Sequence, residues 1–304
     1  MNLKSSSLLM LGFAVAMVAV GMAQAAAPET MPVGTAQAAA PATVPVGNPG
    51  NTADSTGYGA VAYTYQIGKY EVTNAEYCEF LTGVAKTDTH DMYDSRMDGG
   101  PEDWGGLTRS GDSGSYTYTV REGMGKKPVN YVTWLSAIRY INWLTNGRGS
   151  GDTEKGTYTI DGDQVKLPDH AALAAGKVAK WVLASENEWY KAAYYDPNKT
   201  GGAGYWQYPA KSDAATEANL NTNAPSDAGC YAKAVSAYGT FDQGGNVWEY
   251  NETRNEEKVG LRGGSFFLND NESYMRSATR YDVLGAKWPN YGFRVVLLGT
   301  PEAK

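Results

Sequence analysis

Asp242-Gln-Gly-Gly-Asn-Val-Trp-Glu249 is followed by Leu261-Arg-Gly-Gly-Ser265 and, near the C-terminal end, by Tyr291-Gly-Phe-Arg294. The first of these stretches is oxygen-rich and turn-forming. Its adjacent glycines permit positive φ, and two carboxylates with nearby carbonyls suit a hard cation that takes about 6–8 oxygens. From Tyr195 onward the chain reads as short segments split by Gly, Asn and Asp, with no sustained helical period.

Working outward toward the N-terminus, Val61, Tyr63, Tyr65 and Ile67 alternate with smaller or polar neighbours, which predicts a strand. Thr73-Asn-Ala-Glu76 has the form of a capping box and predicts a helix to about Gly83. Residues 86–114, rich in Gly, Asp and Ser, read as a long surface loop, and Tyr116 to Val120 alternates again. Thr133 caps a second helix carrying Trp134, Ile138, Ile141 and Leu144 at helical spacing. Residues 158–165 read as a hairpin turning at Asp161-Gly162. Ser185-Glu-Asn-Glu188 is a second capping box, whose helix stops at Asp196-Pro197. The fold class that follows is α+β and irregular: two main helices, short strands and long loops. No repeat or break in composition divides residues 58–297, which are assigned to one domain.

Composition agrees. With 36 Gly, 22 Tyr and 8 Trp in 304 residues, the chain is loop-rich and aromatic, unlike a helical bundle. Hydrophobic residues at 42% against 19% charged support a packed core and exclude wholesale disorder. A net charge of -7 argues against nucleic acid as a partner. The two Cys and two His (Cys78, His90, His170, Cys230) share no zinc-ligand spacing. His90 and His170 are expected at loops or the surface. Lys4, the apolar run Leu8 to Gly21 and Ala23-Gln-Ala25 make residues 1–25 a signal peptide. The mature protein is therefore expected to be exported, periplasmic or extracellular, and free of the membrane. Residues 26–57, rich in Ala, Pro, Gly and Thr, read as a linker, and 298–304 as a tail. Cys78 and Cys230 are compatible with a disulfide in such a compartment, but sequence does not say whether they approach.

Five segments carry a resemblance: Ile67-Gly-Lys-Tyr-Glu-Val-Thr-Asn74, Lys127-Pro-Val-Asn-Tyr-Val132, Leu183-Ala-Ser-Glu-Asn-Glu-Trp-Tyr190, Gly244 to Glu249, and Leu261 to Ser265 with Tyr291 to Arg294. Together, and in this order, they resemble the sulfatase-modifying factor family, the formylglycine-generating-enzyme-like proteins, across roughly residues 58–297. The resemblance implies a C-type-lectin-like fold. It also implies an oxidase whose copper is held by two cysteines three and eight residues past the motif serine. Counting from Ser265 gives Leu268 and Ser273, and no cysteine follows Cys230. Copper(I) needs soft thiolates, so copper is not expected. An iron branch of the family uses three histidines, and iron is not expected in a chain with two.

Calcium is implied by the resemblance at two sets of positions. One comprises Asp242, Gly245, Val247 and Glu249, the other Asn219, Leu220, Asp227 and Gly229. The cleft position of Ser265, and the mix of aromatic and short polar residues that follows it, make Trp248, Ser265, Phe267, Tyr274, Tyr281 and Trp288 candidates for a ligand-binding face. Arg262, Arg276, Arg280 and Arg294 are expected to close the fold through ion pairs. The function these readings support is an exported, calcium-stabilised module that binds a peptide, protein or glycan without catalysis. The alternative is an enzyme that modifies exported proteins by a route without the thiol pair.

Overall fold

Capping boxes set two of the helices. In the computed structural model, which describes residues 40–267 and 269–299, Thr73 Oγ1 accepts from the Glu76 amide. The Glu76 carboxylate in turn accepts from the Thr73 amide at 2.7 Å. Ser185 and Glu188 repeat the exchange. Each box satisfies two donors that a helix start leaves open. The signal peptide, residues 26–39 of the linker, Leu268 and residues 300–304 lie outside the described residues.

In chain order the elements are β1 (Thr43–Val46), β2 (Tyr65–Gly68), α1 (Asn74–Val84), β3 (Leu107–Ser110), β4 (Thr117–Val120), α2 (Trp134–Thr145), β5 (Thr159–Asp161), β6 (Gln164–Lys166), α3 (His170–Ala174), β7 (Lys180–Leu183) and α4 (Glu186–Tyr194). They continue with β8 (Tyr195–Asp196), β9 (Gly204–Tyr205), β10 (Trp248–Asn255), β11 (Lys258–Arg262), β12 (Tyr281–Leu284), β13 (Tyr291–Phe293) and β14 (Val295–Leu298). One sheet runs β1-β2-β14-β7, all antiparallel. The second runs β12-β11-β10-β13, with β13 parallel to β10. This is the α+β class expected, short in its strands and dominated by connections.

α2 is buried nearly all round, which marks it as the central helix. Its polar residues are matched: Arg139 makes two hydrogen bonds to Glu154, and Asn142 bonds to the Thr153 and Tyr158 backbone. Tyr140 packs edge-on against Phe80 and Phe293 and stacks with Tyr77, so α1, α2 and β13 share one aromatic core.

Four expectations are corrected. The linker does not extend to residue 57, because β1 pairs along its length with β2 and Asn51 and Asp54 bond into the domain. Nor does the tail begin at Leu298, which is buried in β14. Residues 86–114 are no simple surface loop: Met92, Tyr93, Met97, Trp104 and Leu107 are all buried, and β3 pairs with β4. In the β5–β6 hairpin Asp161 pairs with Gln164, so the two-residue turn is Gly162-Asp163, with Gly162 at φ +58°. Cys78 is buried in α1, Cys230 is exposed, and both thiols are free.

Candidate functional site

The second sheet builds the candidate site. Its register places Trp248 opposite Tyr291 and Tyr250 opposite Leu261, which in turn faces Tyr281. Because side chains alternate across a strand, these residues present one aromatic face. Over it lies a cavity of about 240 Å³ lined by Trp248, Leu261, Phe267, Asp270, Tyr274 and Tyr281, together with Val283, Trp288, Asn290 and Tyr291. Five of the six residues singled out from sequence thus meet at one concavity. Tyr281 is 42% exposed and Trp288 50%, so they form its rim, while Trp248 is buried at its base.

The sixth, Ser265, is fully buried and acts from behind. Its Oγ donates to Asp270 Oδ2 at 2.6 Å and accepts from Asn290 Nδ2 at 2.9 Å; Trp248 Nε1 donates to the same Asp270 oxygen at 3.0 Å. Burial raises the Asp270 carboxyl above the ordinary range, with the Ser265 and Trp248 bonds opposing it. The preceding glycines make this placement possible. Gly264 sits at φ +77°, where a Cβ would also come within 3.1 Å of Tyr274 Cβ. Such backbone favours glycine. Of the two positions where the resemblance would place thiols, Leu268 lies outside the described residues, and Ser273 Oγ bonds to Asn271. Trp104, in a segment whose composition predicts a surface loop, packs edge-on against Phe266 and Phe267 and donates to the Asn223 carbonyl.

The two candidate calcium sets differ. Asp242 and Glu249 are both buried. Glu249 accepts from Arg294 Nε at 2.6 Å, from Arg294 Nη2 at 2.5 Å and from Trp189 Nε1 at 2.7 Å. Asp242 accepts from the Gly229 amide, and burial pushes its carboxyl up to about 6. Nearby Glu71 is buried with neither carboxylate oxygen partnered, and burial together with Asp242 and Glu249 pushes it well upward. Three buried carboxyls thus lie near one guanidinium, which only Glu249 of the three contacts. That cluster of oxygens, two of its carboxyls unpaired with any cation among the described residues, would suit a hard cation. Among the described residues no three such side chains converge to hold a metal by themselves, so the carbonyls of Gly245 and Val247 would have to contribute. Glu71 lies within the Ile67–Asn74 motif, where no spacing rule gives it a role; its burial beside Asp242 and Glu249 does.

In the other set, Asn219 donates to the Ala224 carbonyl and to Asn246 Oδ1, its own oxygen accepts from Thr222, and Asp227 lies 3.5 Å from Lys127. Leu220 bonds back to Ala218, and Gly229 reaches Asp242. In this set the Asn219 side-chain oxygen is taken by Thr222 and the Asp227 carboxylate lies beside Lys127, so a cation would have to displace these partners.

His170 is not at the surface. It is buried, with Nδ1 3.0 Å from both Glu188 oxygens and Nε2 3.0 Å from Glu252 Oε1, and Tyr158 and Tyr63 hydroxyls donate to the same carboxylates. Burial disfavours its charge, but the two carboxylates outweigh burial and raise it to about 10. Both ring nitrogens are occupied, so His170 is unavailable to a metal. Of the arginines, Arg294 binds Glu249. Arg280 bonds to Glu186 and stacks 3.6 Å over Tyr58. Arg262 is buried among Trp189, Tyr190 and Tyr194. Arg276 is exposed and bonds to Tyr208.

Fold and site together define a loop-rich α+β protein with an aromatic cleft beside an Arg-Gly-Gly-Ser turn. The family described as the sulfatase-modifying factor enzyme 1-like domain matches residues 31–298, and the chain belongs to it. Hercynine oxygenase of Mycolicibacterium smegmatis is 26% identical over 199 residues, which cover 62% of this chain and 36% of that protein's length. The solved structure of CarF superposes with a TM-score of 0.51 at 19% identity, covering 84% of this chain and 98% of CarF, and shares the fold. PvdO from Pseudomonas aeruginosa has a TM-score of 0.46 at 18% identity, covering 84% of this chain and 90% of PvdO.

Proposed function

We propose that this protein is an exported, cation-stabilised binding module of its family, whose ligand enters the cavity framed by Trp248, Tyr274, Tyr281 and Trp288. The observation that carries the reading is that cavity: half-exposed aromatics around one concavity, a few polar groups at its base, and no thiol at the positions where the family's copper chemistry would need them. Rigid aromatics give contact area at low entropic cost. Calcium, held by Asp242, Glu249 and the neighbouring carbonyls, with Glu71 completing the charge, would fix the turn that leads into β10. The N-terminal sequence pattern, charged then apolar then small-x-small, is what supports export.

The similarity to hercynine oxygenase favours a second reading, an enzyme working without the thiol pair; exported proteins as its substrates are suggested by the family resemblance alone. One experiment tests the enzymatic reading. The purified domain is incubated under oxygen with a cysteine-containing sulfatase-type peptide, with copper, with other divalent metals and with none, and the peptide mass is followed. The binding reading expects no change beyond a boiled control in any arm; conversion in any arm, with copper or without it, overturns it. For the binding reading itself, a peptide and glycan screen repeated with Trp288→Ala is expected to give hits that the variant loses.

A further inference from the structure

Away from the aromatic cavity, three segments distant in the chain, residues 54–56, 205–207 and 276–278, meet around a second concavity of about 380 Å³. It shares no lining residue with the first. Its walls are fixed through their backbones and inner side chains. Asn51 Nδ2 donates to Tyr205 Oη at 2.7 Å, and Tyr205 Oη donates to the Thr52 carbonyl at 2.8 Å. The Ser277 amide donates to the Gln207 carbonyl at 2.8 Å, and the Trp206 amide to the Tyr194 carbonyl at 3.0 Å. Asp54 accepts from the Thr56 amide and hydroxyl and from the Tyr190 hydroxyl. A site held in this way loses little freedom when it binds.

Other groups on the same walls have polar atoms to spare. Among the described residues the Gln207 side-chain amide and the Ser55 hydroxyl make no hydrogen bond, and the exposed Arg276 uses only Nε, on Tyr208 Oη at 2.7 Å, with no carboxylate paired to it. Asp54 stays a carboxylate: burial opposes its charge, but the Thr56 and Tyr190 bonds outweigh burial and hold it below the ordinary range. Lys199 Nζ lies 4.2 Å over the Trp206 ring, so that ring offers contact area for C–H groups and no seat for a second cation.

This inventory selects the ligand. An apolar molecule would leave the donors and acceptors unpaired. A metal ion would meet one carboxylate, already engaged by three donors, and a guanidinium in the same small space. A simple anion would suit Arg276 but share the pocket with ionised Asp54. A neutral polyol asks for donors and acceptors together with some apolar contact, and a guanidinium fork, an amide, a hydroxyl and a carboxylate beside two rings supply them. The volume falls within the range of small-molecule clefts, about 300–1,000 Å³. We propose that this pocket binds a neutral saccharide through Arg276, Gln207, Ser55 and Asp54, with Tyr205 and Trp206 against its C–H groups. The inference stands apart from the aromatic cavity and needs no ligand there.

The test titrates methyl glucoside, methyl mannoside, methyl galactoside and N-acetylglucosamine into the purified domain at millimolar concentration, by saturation-transfer NMR and calorimetry. Methyl glucuronide is the anionic control. At least one neutral sugar is expected to bind saturably. Arg276→Ala and Gln207→Ala, both at exposed side chains, should keep the wild-type melting curve and each weaken that sugar at least about tenfold. Trp288→Ala should leave it unchanged. Failure of every neutral sugar to bind overturns the inference, as does affinity unaltered by both pocket substitutions. Tighter binding of the glucuronide than of the glucoside would mark an anion site and overturn it too. Loss of the sugar in Trp288→Ala with retention in Arg276→Ala would overturn this inference and place the sugar in the aromatic cavity instead.

Discussion

Arg294 grips Glu249 through two hydrogen bonds, Nε to Oε2 at 2.6 Å and Nη2 to Oε1 at 2.5 Å, with neither side chain reaching solvent. Two further Arg294 donors go to the Gly68 and Phe241 carbonyls, so one guanidinium ties β10 to the first sheet's β2 and to the loop before Asp242. Removing one partner of a buried pair leaves an uncompensated charge, at a cost of about 3–5 kcal/mol. Glu249→Ala is therefore expected to lower stability by that amount in chemical denaturation under chelator, and by more where calcium is bound. A loss under about 1 kcal/mol would show that the pair contributes little to folding.

Because Glu249 serves Arg294, Glu71 is the cleaner probe of the cation. Its unpartnered oxygens are buried beside Asp242 and Glu249. If a cation binds the folded state, stability rises by mass action, about 2.7 kcal/mol at a hundred times its dissociation constant. Chelator is expected to lower the melting temperature of the wild type and to have little further effect on Glu71→Gln. Without a cation the raised Glu71 carboxyl is already neutral, and Glu71→Gln should leave stability little changed. An equal chelator shift in both proteins would remove Glu71 from the cation site.

His170 gives a pH signature of the opposite sign to the usual carboxylate. Its folded pKa is raised to about 10 from an ordinary 6.5 by Glu188 and Glu252, against burial. A raised histidine contributes stability that is fully present below about 6.5 and is lost as pH climbs toward 10. Unfolding free energy should decline across that window by at most about 1.4 kcal/mol per pH unit, the slope for one proton. His170→Gln should lower stability at pH 6 and flatten the decline. A wild-type profile flat from pH 6.5 to 10 would contradict the charged assignment.

Much of this architecture was legible because it is local. Thr73 with Glu76, and Ser185 with Glu188, announce their helices within four residues, and α2 announces itself by its apolar spacing. What escaped was decided at long range. β1 is a Thr-Val-Pro-Val segment in Ala/Pro-rich surroundings, and only its place at a sheet edge, where proline is tolerated, makes it a strand. His170 meets Glu188 and Glu252 across 18 and 82 residues, which no spacing rule reaches. The candidate ligand face was legible as composition after Ser265, but Asp270 and Trp104 take their places from tertiary packing. Asp270 joins Ser265 to Trp248, and Trp104 arrives from a segment with no period.

At the cavity, exposure separates binding from folding. Trp288 is half exposed at the rim, so Trp288→Ala is expected to change stability by no more than about 0.5 kcal/mol. Trp248, buried and bonded to Asp270, should behave differently: Trp248→Ala is expected to cost about 3–5 kcal/mol. Paired denaturation curves of the two variants check this, and similar losses in both would place Trp288 in the core.

The central claim, that the aromatic cavity beside Ser265 is a ligand site, is tested most directly by comparing wild type and Trp288→Ala for binding across one peptide and glycan panel. The account predicts saturable binding to the wild type and at least about a tenfold loss in a variant that remains folded. Binding of equal strength in both proteins, with a footprint elsewhere on the surface, would contradict it.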